Sequence, residues 1–285
     1  MPASFGLQTR LLIFRVCICL GLLLPGCYSA TARMPAWARN QPLAQNGFVV
    51  HPEPGISPLA VEVVTARIAD VRDSLRTAYF PTVTAFYPES PLQLVLYRDY
   101  RSYRAHTTML VETLARYDRR LHVVHAPLNA GLSTWRHEMT HALLEAGRPY
   151  SPYWLHEGLA FFMMEQNVTG TERSCADFAA VRLPDFLIPA LLQIQKQKQI
   201  DSIQIFDSDA RAIYSSDRYV ISAYFILYLW QRGELREYLR LYLRTPDATA
   251  DFLLTNGNRS GLRDLMHAFE VWLKNIRPGA SYRGC

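Results

Sequence analysis

Cysteine is scarce in this chain, with five residues in 285, and no two of them form a Cys-x-x-Cys pair. That excludes the thiolate zinc ribbons and dithiol redox sites built on such spacing. Blocks of like charge are also missing. The 30 Lys and Arg and 25 Asp and Glu are dispersed, for a formal net charge of +5. Without a basic stripe, nucleic-acid binding has no electrostatic footprint here. Beyond the N-terminal segment no uncharged apolar run approaches the roughly 20 residues of a membrane-spanning helix. What remains is a globular balance, 49% hydrophobic and 19% charged, with ample material for a core.

The N-terminus reads as an export signal. Arg10 and Arg15 precede the apolar run Val16–Leu24, which Pro25, Gly26 and Cys27 follow. A basic start, a short apolar segment and small residues at its end describe a secretory signal over residues 1–32. Loss of Arg10 and Arg15 with that segment takes the net charge from +5 to about +3. Leu24-Pro25-Gly26-Cys27 resembles a bacterial lipoprotein box, with Pro25 where that box has a small residue. The resemblance implies acylation of Cys27; the alternative is cleavage after Ala32. Either way the mature protein is expected in the bacterial cell envelope or outside it, with a lipid anchor as its only membrane attachment. Cys17 and Cys19 would leave with the signal. Cys175 and Cys285 would remain, either as a disulfide tying the C-terminal end to mid-chain or as two buried thiols.

Residues 33–58 hold Pro35, Pro42, Pro52, Pro54 and Pro58 and read as a tether, equally able to cover a cleft. Residues 59–285 read as one domain. Apolar residues at helical spacing predict a helix over Val61–Tyr79, and short β-favouring runs predict strands at Leu92–Tyr97 and Leu121–His125. Further helices are expected at Thr134–Ala146, Tyr153–Gln166, Tyr219–Arg232 and Leu262–Ile276. A small mixed N-terminal part followed by a helical part gives an α+β class.

The chemistry concentrates in His137-Glu138-Met139-Thr140-His141. Residues four apart on a helix differ by about 40° in direction and about 6 Å in height. Both imidazoles can therefore face one ion, and Glu138 is placed to deprotonate a metal-bound water. Leu144 and Gly147 stand where a third histidine motif would need Gly and His, so that arrangement is excluded. A third ligand must come from elsewhere, with the fourth position left to water. Trp154-Leu155-His156-Glu157-Gly158-Leu159-Ala160 offers two candidates, His156 and Glu157, after an interval that suits a turn and an antiparallel helix. Neighbouring helical residues point about 100° apart, so the two do not share one ion. Glu145 reads as a solvated or supporting carboxylate, and His122 and His125 as polar surface residues.

HExxH at 137–141 followed by WLxEGxA at 154–160 resembles the gluzincin-type "peptidase MA-like" family of bacterial exported zinc metallopeptidases. The resemblance spans roughly Leu92 to Trp272 and is specific only in the two motifs. It implies a zincin-like fold, with an edge strand before the motif helix, one Zn2+ held by His137, His141 and Glu157, and Glu138 as general base. It also implies a helix opening with Tyr219, whose hydroxyl would stabilise the oxyanion, with Tyr214 and Tyr224 as competitors. The Leu121–His125 strand would be the edge that pairs with an extended peptide. The expected activity is peptide-bond hydrolysis. A zinc amidase acting on cell-wall amides, and a silent lipoprotein scaffold, stand as alternatives.

Overall fold

An Asn-Gly pair starts the fold. Asn46 and Gly47 have φ of 51° and 79°, the left-handed geometry of a two-residue hairpin turn. They join β1 (Leu43–Gln45) to β2 (Phe48–Pro52), with Gln45 opposite Phe48. The computed structural model describes residues 34–39, 42–83, 91–107, 114–164, 181–197, 200, 202–206, 216–255 and 258–282. The export segment, Cys27, Cys175, Tyr214 and Cys285 lie outside the described residues.

Residues 33–58, expected as a tether, thus supply two strands. The prolines sit where the ladder tolerates them: Pro52 ends β2, and Pro58 opens α1 (Pro58–Tyr79). There its missing N–H costs nothing, while Ser57 caps the helix by accepting from the Ala60 N–H at 3.2 Å. Val61, Thr65, Ile68, Val71, Leu75 and Tyr79 form its buried stripe, at the three- and four-residue spacing of one helical face.

The chain continues through β3 (Gln93–Tyr97), α2 (Tyr100–His106), β4 (Arg116–Asp118) and β5 (Val123–Pro127). The five strands lie in the order β1-β2-β3-β5-β4. The β2/β3 and β3/β5 pairs are parallel, while β1/β2 and β4/β5 are antiparallel. The strand before the motif helix is therefore not the edge. The three-residue β4 lies outside it, too short to reveal itself by alternation.

Alternation sorts the sheet's two faces. Phe48, Val50, Leu94, Leu96, Val124 and Ala126 join the main core beneath α1 and α3 (Leu132–Gly147). Val95, Tyr97 and Val123 join a smaller cluster with Ala38, Tyr103 and Trp37. His125 belongs to that second face and is fully buried, its Nδ1 3.0 Å from the Tyr97 hydroxyl. His122 is buried too, with Nδ1 2.8 Å from the Tyr117 hydroxyl. Both were expected at the surface. Helical cover on the second face encloses His125, while His122 packs beside Tyr117 of β4; burial lowers each pKa to about 4.

From α3 onward the described chain is helical: α4 (Tyr153–Met164), α5 (Ile188–Gln195), α6 (Ser216–Gln231), α7 (Leu235–Arg244), α8 (Ala250–Leu254) and α9 (Arg259–Asn275). The α+β class holds, a small sheet followed by a mainly helical part. The central helix is α6, buried from Val220 to Trp230. Trp154 fixes α4 against it, packing its ring on Phe225 at 5.5 Å and on Phe206 at 5.2 Å. No helix among the described residues is long and apolar enough to cross a membrane.

Candidate metal centre

Gly131 opens α3 without a side-chain cap, and the Arg148 N–H closes it on the Leu144 carbonyl at 2.8 Å. The helix carries His137 and His141 on one side. A turn through Tyr150 and Pro152 reverses the chain into α4, which returns Glu157 to the same place. Gly158 lets the helices close there. A Cβ on Gly158 would stand 2.6 Å from the Ser222 carbonyl oxygen, so only glycine admits this approach of α6 to α4.

Three donors meet as a result. His137 Nε2 and His141 Nε2 are 3.1 Å apart, and each lies 3.8 Å from one oxygen of Glu157. All three ligand atoms fall within 4.8 Å of one another. Zinc–nitrogen and zinc–oxygen bonds of 2.0–2.2 Å place tetrahedral neighbours about 3.3 Å apart, so the measured separations bracket what one ion requires. Burial lowers the His137 pKa to about 4, against an opposing contribution from the Ala160 backbone, and takes His141 well below 6.5. Neutral imidazoles offer lone pairs, the form a metal ligand needs. Burial also raises Glu157 to about 7. Two imidazoles and one carboxylate form a donor set that could hold a metal ion, and the set fits zinc while leaving a coordination position open.

Glu138 is 5% exposed. Its Oε2 accepts the Tyr117 backbone N–H at 2.6 Å, so the edge strand β4 holds the carboxylate in place. Burial raises its pKa to about 8; the Tyr117 bond opposes this, the Glu157 charge adds to it, and Arg116 opposes it more weakly. No sequence pattern announces this anchor, because a backbone amide serves as donor whatever its side chain. The same bond uses an N–H that β4 would otherwise turn outward to a peptide.

His156 stands outside the trio. Its ring lies on that of His141, centroids 4.3 Å apart and planes 14° from parallel. Its Nε2 faces Glu145 at 3.9 Å. Glu145, expected as a solvated or supporting carboxylate, is 3% exposed and accepts from Arg119 Nε at 2.6 Å. The Arg119 guanidinium in turn covers the Tyr150 ring at 4.5 Å.

Tyr219 is placed by two rings of α4, Tyr153 at 5.2 Å and Phe161 at 5.8 Å. Tyr153, Glu157 and Phe161 share one face at four-residue spacing, so Tyr219 lies beside the carboxylate that stands between those rings. Phe161 also meets the His137 ring at 5.0 Å. Tyr224 is buried in the core, its pKa raised by that burial. No family model matches the chain, and no match is found among curated proteins.

Proposed function

We propose that the protein is a mononuclear zinc hydrolase of the gluzincin type, with a zincin-like fold, that cleaves peptide bonds in the bacterial cell envelope. The convergence of His137, His141 and Glu157 from two helices, within 4.8 Å, carries the reading. Zinc bound by these three residues supplies Lewis acidity, which makes water a nucleophile near neutral pH and polarises a carbonyl.

The chain's own residues account for the rest. Glu138 keeps Oε2 on the Tyr117 N–H, leaving Oε1 to take a proton from water and pass it to the departing amine. Tyr219, beside Glu157 through Tyr153 and Phe161, would donate its hydroxyl to a developing oxyanion. Buried aromatic packing on α4 fixes these groups before substrate arrives.

Elemental analysis of residues 33–285, beside His141→Ala and Glu157→Ala, tests the proposal. About one zinc per chain in the parent, lost or weakened in both variants, is expected. A parent that takes up no zinc after reconstitution would overturn it.

A further inference from the structure

Arg218 is the third residue of α6 and is only 9% exposed. Its Nη1 is fully buried and has no hydrogen-bond partner. Among the described residues no carboxylate reaches ion-pair distance of Arg218, and no aromatic ring lies beneath its guanidinium. Asp217, the preceding residue, points about 100° away around the helix and makes no ion pair with it.

Such an arrangement is costly three times over. A guanidinium out of water loses hydration, it gains no partner in exchange among the described residues, and it sits at the positive end of a 16-residue helix. An uncompensated buried charge destabilises a fold, and a cation near a helix N-terminus adds repulsion from the macrodipole. All three terms reverse when an anion enters. The guanidinium gains a bidentate partner, and the positive end of the helix gains a neutralising charge.

The site adjoins the metal cluster. Arg218 precedes Tyr219, whose ring lies between Tyr153 and Phe161 at the level of Glu157. It also lies one turn before Ser222, whose carbonyl meets Gly158, the neighbour of Glu157. We infer that Arg218, near the N-terminal end of α6, binds a substrate carboxylate beside the proposed zinc site. A single planar fork matches a carboxylate. The ligand's identity as substrate rests on the hydrolase reading; the anion site itself does not. The carboxylate comes either from a peptide C-terminus, which makes the enzyme an exopeptidase, or from an Asp or Glu side chain next to the scissile bond.

Calorimetric titration of the full mature chain, stripped of metal so that no ion can take the carboxylate, tests this. The probes are acetyl-Ala-Ala with a free carboxylate, acetyl-Ala-Ala amide, and acetyl-Ala-Glu amide. The parent is expected to bind one acidic probe about 10-fold or more tighter than the neutral amide, as charge-assisted pairing implies. Arg218→Gln should abolish that preference. Preference for acetyl-Ala-Ala acid assigns the C-terminus as the source, and preference for acetyl-Ala-Glu amide assigns the side chain. Equal binding of all three probes by the parent, or a preference that survives in Arg218→Gln, overturns the inference. Unfolding temperature gives a second reading. Without ligand, Arg218→Gln should melt at or above the parent, and a fall of several degrees would mean that Arg218 holds the fold instead. Zinc content is measured separately, so loss of the metal reading leaves the carboxylate result intact.

Discussion

The ring of His156 lies almost parallel to that of His141, 4.3 Å away, while its own Nε2 is turned toward Glu145. One histidine thus buttresses another. His141 can swing neither toward α4 nor out of the cluster while His156 backs it, and Arg119 holds Glu145 behind that pair.

The packing role separates two substitutions. His156→Phe keeps a flat ring against His141 and should retain zinc. His156→Ala removes the backing and should weaken zinc binding about 10-fold, the scale of supporting-residue losses at metal sites. Competition titration with a chromogenic chelator checks both. If His156→Phe loses zinc as completely as His141→Ala, then His156 is itself a ligand.

Glu138→Gln preserves an amide oxygen for the Tyr117 N–H and should leave folding and zinc content unchanged. Turnover should fall by about 10²-fold or more once the proton carrier is gone. Zinc content, unfolding temperature and peptide cleavage measured on one preparation decide it; full activity in the variant would remove Glu138 from the mechanism.

Tyr219→Phe deletes one hydroxyl and keeps the ring between Tyr153 and Phe161. The expected result is a kcat lowered by about 10-fold or more, the scale of a lost oxyanion donor, with KM and unfolding temperature near the parent's. A kcat equal to the parent's would leave Tyr219 with a packing role only.

Gly158→Ala should destabilise the protein by about 1–3 kcal/mol, the usual cost of overpacking. The added methyl carbon would meet the Ser222 carbonyl oxygen at 2.6 Å and its carbon at 2.8 Å, and backbone cannot rotate aside. Urea unfolding of the two proteins gives the number, and an unchanged midpoint would contradict the close crossing of α4 and α6.

Glu53 sets an acid limit. Burial works against its charge, but the Arg98 N–H at 2.8 Å, the Ser102 hydroxyl at 2.7 Å and Arg98 Nε at 3.1 Å outweigh it, and the pKa falls below 4.5. A carboxylate with a depressed folded pKa stabilises above its unfolded value and loses that contribution as pH falls through the folded one. Glu53→Gln should therefore cost on the order of 1 kcal/mol at pH 7, a gap that narrows as pH falls below 4.5 and through the lowered folded pKa. Unfolding measured from pH 3 to pH 7 in both proteins tests this, and a constant gap would refute it.

The helices carrying the cluster were legible because each residue of the second motif has a separate duty. Trp154, Leu155 and Leu159 bury, Gly158 admits α6, and Glu157 is left facing the histidines. The hairpin was legible as well, in Asn46-Gly47, yet five prolines between 33 and 58 mask it in a reading by composition. Leu235, Tyr238, Leu239 and Tyr242 spell the buried face of α7 with the same periodicity as α1, although no motif draws the eye there. Other features leave no trace. A three-residue β4 is too short to alternate, and alternation in β5 cannot reveal that α2 covers its second face and buries His125. Whether Glu145 is solvated or supporting stays open in the sequence until Arg119, 26 residues earlier, is seen to reach it.

Both borders of the sheet are three residues long, Leu43–Gln45 at one side and Arg116–Asp118 at the other. Exposed strand borders are where copies of a protein recruit one another into fibrils, and short ones make poor templates. Arg116 and Asp118 place charge on one border, and Glu138 occupies its Tyr117 amide. Glu138, the proposed general base, therefore also guards this border against self-polymerisation.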